Sequence, residues 1–107
     1  MEKFSNVNEL VNILKPVDPV YCIRPESIKR STDFFKNNFP GKVLYAVKTN
    51  PNEKILKLII NNGIKNFDVA SLNEIKLIKK ISPEAKLFYM HTIKVRENIT
   101  EAYKVYG

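Results

Sequence analysis

The chain has 107 residues, 44% of them hydrophobic, and a net charge of +7: enough apolar side chain for one ordinary core, and too moderate a charge for a disordered tail. A single cysteine, Cys22, excludes an internal disulfide framework and has no CxxC companion for a metal, so no metal is expected and a reducing, cytoplasmic setting is the simplest assignment. No leader pattern opens the chain, no apolar run approaches the roughly 20 residues that span a bilayer, and the lysines are scattered without an Arg-rich stripe, which argues against membrane and nucleic-acid partners.

Taken in chain order, Val7, Leu10, Val11 and Leu14 fall at helical spacing before Pro16 ends the pattern. Pro19 to Ile23 reads as a strand, with Cys22 in it as a small buried hydrophobe. Pro25 suits the first turn of a helix that would bury Ile28, Phe34, Phe35 and Phe39 and close at Pro40-Gly41. Next come strand Val43 to Lys48, helix Asn52 to Asn62 with Gly63 at its end, and strand Asn66 to Ala70. Helix Leu72 to Ile81, strand Lys86 to Thr92 and helix Arg96 to Tyr106 complete the series, the last packing through Ile99, Ala102, Tyr103 and Tyr106. Alternating β and α units with short connections predict an α/β fold with a parallel sheet and helices outside it.

On a period-two strand Lys48 shares its face with small Ala46, which leaves room beside the backbone for a planar ring. A lysine at a strand end can be partly desolvated, which prepares its amine to form a Schiff base with a carbonyl cofactor. In the next strand Asp68 and Ala70 share a face, and in the third His91 ends the set Leu87, Tyr89, His91. Polar residues at successive strand C-termini are how parallel α/β folds build active sites. Singly, Lys48 also reads as a snorkelling surface residue, Asp68 as a turn or capping acid, and His91 as a satisfied, partly buried imidazole. Ser71-Leu72-Asn73-Glu74 fits a capping box, a structural role for Glu74 that is compatible with one at the site.

The segment Tyr45-Ala46-Val47-Lys48-Thr49-Asn50-Pro51, followed by Phe67-Asp68-Val69-Ala70-Ser71-Leu72-Asn73-Glu74-Ile75, resembles the alanine-racemase-fold (type III) pyridoxal-phosphate decarboxylases. It looks most like the ornithine decarboxylase group, which includes bacterial ornithine/lysine relatives. Tyr89-Met90-His91-Thr92-Ile93-Lys94 resembles a further segment of that family, with Thr92-Ile93 where those enzymes typically have Pro-Val.

The resemblance implies that Lys48 holds pyridoxal 5'-phosphate as an internal aldimine, with Ala46 beside the ring and Asp68 and Glu74 near the reacting centre. His91 would be near the site at best. It implies a cytoplasmic homodimeric carboxy-lyase that acts on a basic amino acid, most simply ornithine to putrescine in polyamine biosynthesis. Diaminopimelate decarboxylase and a non-catalytic pyridoxal-phosphate-binding homologue are the alternatives.

A (β/α)8 barrel needs about 250 residues, so the fold expected is a partial barrel, stopped before closure and without the family's C-terminal β-domain. Residues 1–24 would be a helix and strand associated with that β-domain, and residues 25–107 the first part of the barrel. The fragment alone is expected to be inactive.

Overall fold

The computed structural model describes residues 2–107. Helix α1 (Val7–Leu14) is capped by Asn6, whose side chain accepts from the Glu9 N–H. None of its residues is buried. It contributes to a radius of gyration of 16.9 Å, above the ~13 Å of a compact domain of this length.

Residues 19–24 form no strand. A strand needs a ladder partner, and Pro19 can donate no amide to one. Cys22 is accordingly exposed rather than buried.

Helix α2 (Pro25–Asn38) starts at the expected proline, but Phe34, Phe35 and Phe39 are more than half exposed. Its packed side consists instead of half-buried Ile28 and buried Thr32, whose hydroxyl is satisfied by the Ile28 and Lys29 carbonyls. Phe34 and Phe35 stack edge to face on each other.

Three parallel strands follow in sequential order: β1 (Tyr45–Ala46), β2 (Asn66–Val69) and β3 (Lys86–Tyr89). Tyr45 lies opposite Phe67 and Ala46 opposite Asp68, while Asn66 to Val69 align with Lys86 to Tyr89. Phe67 and Val69 are fully buried, and Tyr45, Leu87 and Tyr89 pack with them on the core. Asn66, Asp68, Ala46 and Phe88 occupy the opposite face and are only half-buried. The sheet therefore has one apolar face under helices and one mixed, more open face.

Helix α3 (Glu53–Asn61) contributes Leu56 and Ile59 to the core, and α4 (Leu72–Ile81) contributes Ile75 and Ile78. The α3 exit uses Gly63 at φ +93°, a left-handed conformation that favours glycine. Lys36 of α2 donates to the Asn62 carbonyl there at 2.8 Å. Glu53 pairs with Lys57 within α3 and with Lys80 of α4, and Lys76 of α4 pairs with Glu101.

The expected last helix divides into α5 (Arg96–Glu101) and a wider π turn, Ala102–Tyr106. Ala102 and Tyr106 pack against the core, but Tyr103 is 80% exposed and Ile99 46% exposed. The wider turn breaks the 3.6-residue spacing on which a continuous stripe through all four would depend. A three-stranded parallel sheet with flanking helices is the observed architecture; no closed barrel forms. No helix among the described residues is long and apolar enough to cross a membrane.

Candidate active site

The polar residues singled out by the sequence gather around the C-terminal ends of the three strands. Pairing of β1 stops at Ala46, and Val47–Thr49 form a single 3-10 turn. Val47 faces inward and is fully buried. Lys48, one residue on, is exposed, and among the described residues its amine has no hydrogen-bond or ion-pair partner.

Two expectations are corrected by this geometry. Lys48 stands on a turn beyond the ladder, so it does not share a strand face with Ala46, and it is not desolvated. Asn50-Pro51 is the physical reason: the residue before proline is held extended, and Pro51 has no amide for the ladder. Asn50 sits at φ −155°, ψ 99°.

Ala46 and Asp68 are brought together as direct neighbours across the parallel ladder, with Phe88 in register on the far side of Asp68. The Lys42 ammonium lies 5.4 Å from the Phe88 ring centroid. Ala46, Asp68 and Phe88 thus line the open face, with the smallest side chain nearest the Lys48 turn.

Glu74 follows β2 in the first turn of α4. Ser71 accepts from the Glu74 N–H at 3.3 Å, as a capping box requires. The reciprocal bond is displaced by one residue, because Glu74 Oε2 accepts from the Ala70 N–H at 2.8 Å rather than from the cap's own amide. The carboxylate is thereby fixed at the exit of β2.

His91 does not continue β3, which ends at Tyr89. Lys94 donates to the Tyr89 carbonyl at 2.8 Å and lies over the Tyr89 ring, closing the strand. His91 is exposed rather than partly buried, and its Nδ1 accepts from the Ile93 N–H at 3.2 Å. Its ring is engaged in its own loop.

Two concavities flank these residues. An open cleft of about 470 Å³ beside the Lys48 turn is lined by Tyr21, Asn50, Pro51 and Asn52. A second of about 210 Å³ includes Ile75, Leu87, Tyr89 and Tyr106 in its lining, and so lies on the helix side of the sheet, across from Asp68.

Asn50 was not singled out by pattern reading, yet it makes more side-chain bonds than any other residue at the β1 exit. The Asn-Pro-Asn run was its available signal, since Asn side chains bond their own backbone two residues on. Its contact with Tyr21 spans 29 positions and leaves no local trace.

With this geometry in place, residues 25–106 match the family model described as pyridoxal-dependent decarboxylase, pyridoxal binding domain. The chain belongs to this family. No curated protein and no solved structure matched it. The domain binds pyridoxal phosphate, and the residues present fit that cofactor in part. The pyridoxal-binding domain offers an exposed primary amine, without a partner among the described residues, on the turn after a strand that ends in small Ala46. Its three glycines, Gly41, Gly63 and Gly107, are dispersed, so it contains no glycine-rich phosphate loop.

Proposed function

We propose that this chain is the amino-terminal part of a pyridoxal-phosphate-dependent decarboxylase of a basic amino acid, most simply ornithine, in which Lys48 holds the cofactor. The observation that carries the reading is the Lys48 amine, exposed at the exit of β1 and without a hydrogen-bond or ion-pair partner among the described residues, in a chain of the pyridoxal-binding family. When bound, pyridoxal phosphate supplies the electron sink for the carbanion left by loss of carbon dioxide.

Lys48 Nζ would hold the cofactor through its carbonyl carbon and be displaced by the substrate amine. Once free it would carry a proton in the later steps and release the product. Ala46 keeps the open face clear for a planar ring. The Asp68 carboxylate, beside Ala46 in the ladder, places negative charge where a cationic substrate or ring would sit. Glu74 positions the loop after β2 by holding the Ala70 amide. His91 has the least direct role, since its ring is tied to Ile93.

The partial barrel belongs to the same proposal: residues 25–107 form its first βα units, and residues 1–24 precede them as a segment associated with a β-domain elsewhere in a homodimeric protein. Met90-His91 after the third strand supports an ornithine- or lysine-type enzyme over a diaminopimelate one.

Treatment with pyridoxal phosphate, borohydride reduction and digestion should label Lys48, and Lys48→Arg should remove that label. Label distributed over the other lysines, unchanged by Lys48→Arg, would overturn the assignment. Substrate class is read by assaying the full-length enzyme on ornithine, lysine and diaminopimelate, with ornithine expected to give the highest kcat/KM.

A further inference from the structure

The turn bearing Lys48 is held through Asn50, two residues downstream. Asn50 Nδ2 donates to the Tyr21 phenol oxygen at 3.0 Å, and Oδ1 accepts from the Asn52 N–H at 3.1 Å. The Asn50 carbonyl accepts from the Tyr45 hydroxyl at 3.3 Å. The amide orientation is fixed by chemistry: a backbone N–H can only donate, so the atom facing Asn52 is oxygen, and the nitrogen is left for Tyr21.

Three independent parts of the chain thus converge on one residue. Tyr21 comes from the irregular segment ahead of α2, Tyr45 from β1, and Asn52 from the cap of α3. Tyr45 is part-buried, and burial, with Tyr21 nearby as the second cause, raises its phenol above the ordinary value. Its hydroxyl keeps the proton it donates to Asn50. Tyr21, Asn50 and Asn52 also line the open cleft beside this turn.

An exposed lysine on a one-turn 3-10 segment has no packing of its own to fix where the amine points. Catalysis by a covalent anchor needs that position held to within a fraction of an ångström.

We propose that Tyr21 and Tyr45, acting through Asn50, are positioning residues for the Lys48 amine, with the segment before α2 serving as a strap across the turn. This rests on the reading of Lys48 as the cofactor-holding amine. It assigns residues 15–24, which build no strand, a task at the site. Asn50 is the common node, so loss of either the phenol or the amide should release the same constraint.

The test uses the 107-residue chain, pyridoxal phosphate and borohydride, with label at Lys48 measured relative to exposed Lys104 in the same molecules. The parent should favour Lys48. Tyr21→Phe should lower the Lys48:Lys104 ratio about two- to tenfold, the range of one net hydrogen bond, and Tyr45→Phe should lower it in the same direction. Tm should not move in Tyr21→Phe, because that side chain is 66% exposed.

Asn50→Ala should lower the ratio as well, and Tyr21→Phe should have no further effect in that background. Selective labelling of the parent, retained in full by Tyr21→Phe and Asn50→Ala, overturns the strap alone. Equal labelling of Lys48 and Lys104 in the parent overturns the cofactor reading and the strap with it.

Discussion

Phe67 occupies the middle strand, fully buried between the sheet and the helices and edge-on to Tyr45. Truncating a ring in such a place typically costs about 3–5 kcal/mol, a large share of the roughly 5–15 kcal/mol available to an ordinary domain. Phe67→Ala should therefore abolish a cooperative urea transition, whereas Ser71→Ala should only shift it by about 1 kcal/mol, the usual worth of an N-cap. Burial at this scale was readable from alternation: Phe67 and Val69 point inward and Asp68 outward, as period two requires. The sequence misled where burial depends on a distant partner. Cys22 looked apolar enough to bury, and Phe34, Phe35 and Phe39 had helical spacing, but Cys22 is exposed and the three rings stay more than half exposed.

At the scale of elements, α4 runs from Leu72 to Ile81 as its serine cap implied, because that signal is local and self-satisfying. Strand lengths were less legible. β3 ends with the last residue of β2, Tyr89 opposite Val69, whereas β1 stops at Ala46, one residue short of the end of β2, so strand length is not decided by a strand's own residues alone.

The α3–α4 contact carries a pH signature through Glu53, whose carboxyl is held below its ordinary value of 4.5 by hydrogen bonding to Lys57 first, with Lys80 adding to it. A carboxylate with a lowered folded-state pKa stabilises the fold above its unfolded value, and that contribution is lost as pH falls through the folded one. Glu53→Gln should thus lower Tm slightly at neutral pH, with the difference from the parent vanishing once pH falls through the lowered folded-state pKa. Gly63→Ala should cost about 1–2 kcal/mol in a denaturation experiment, since a Cβ at φ +93° is strained. It would also crowd the Lys36 ammonium, 2.8 Å from that position, which caps α3.

For the molecule as a whole, the core is confined to the layer between the sheet's apolar face and α3 and α4, while α1 buries no residue. Deleting residues 1–14 should leave Tm and the urea midpoint unchanged, because exposed termini contribute little to the cooperative unit. The α/β class and the parallel order were legible because alternating patterns leave few topologies open. The course of the chain at the exit of β1 was not legible: pattern extended a strand through Lys48 where the chain turns, and it could not find the contact from Tyr21 to Asn50.

Val47 and Lys48 are adjacent in the chain, yet one lies wholly inside the protein and the other in water. A single peptide link therefore joins a fully buried core side chain to the amine proposed to hold the cofactor. Under the proposed role of Lys48, a change of side-chain volume at position 47 would displace that amine, so the interior would tune the site from beneath it.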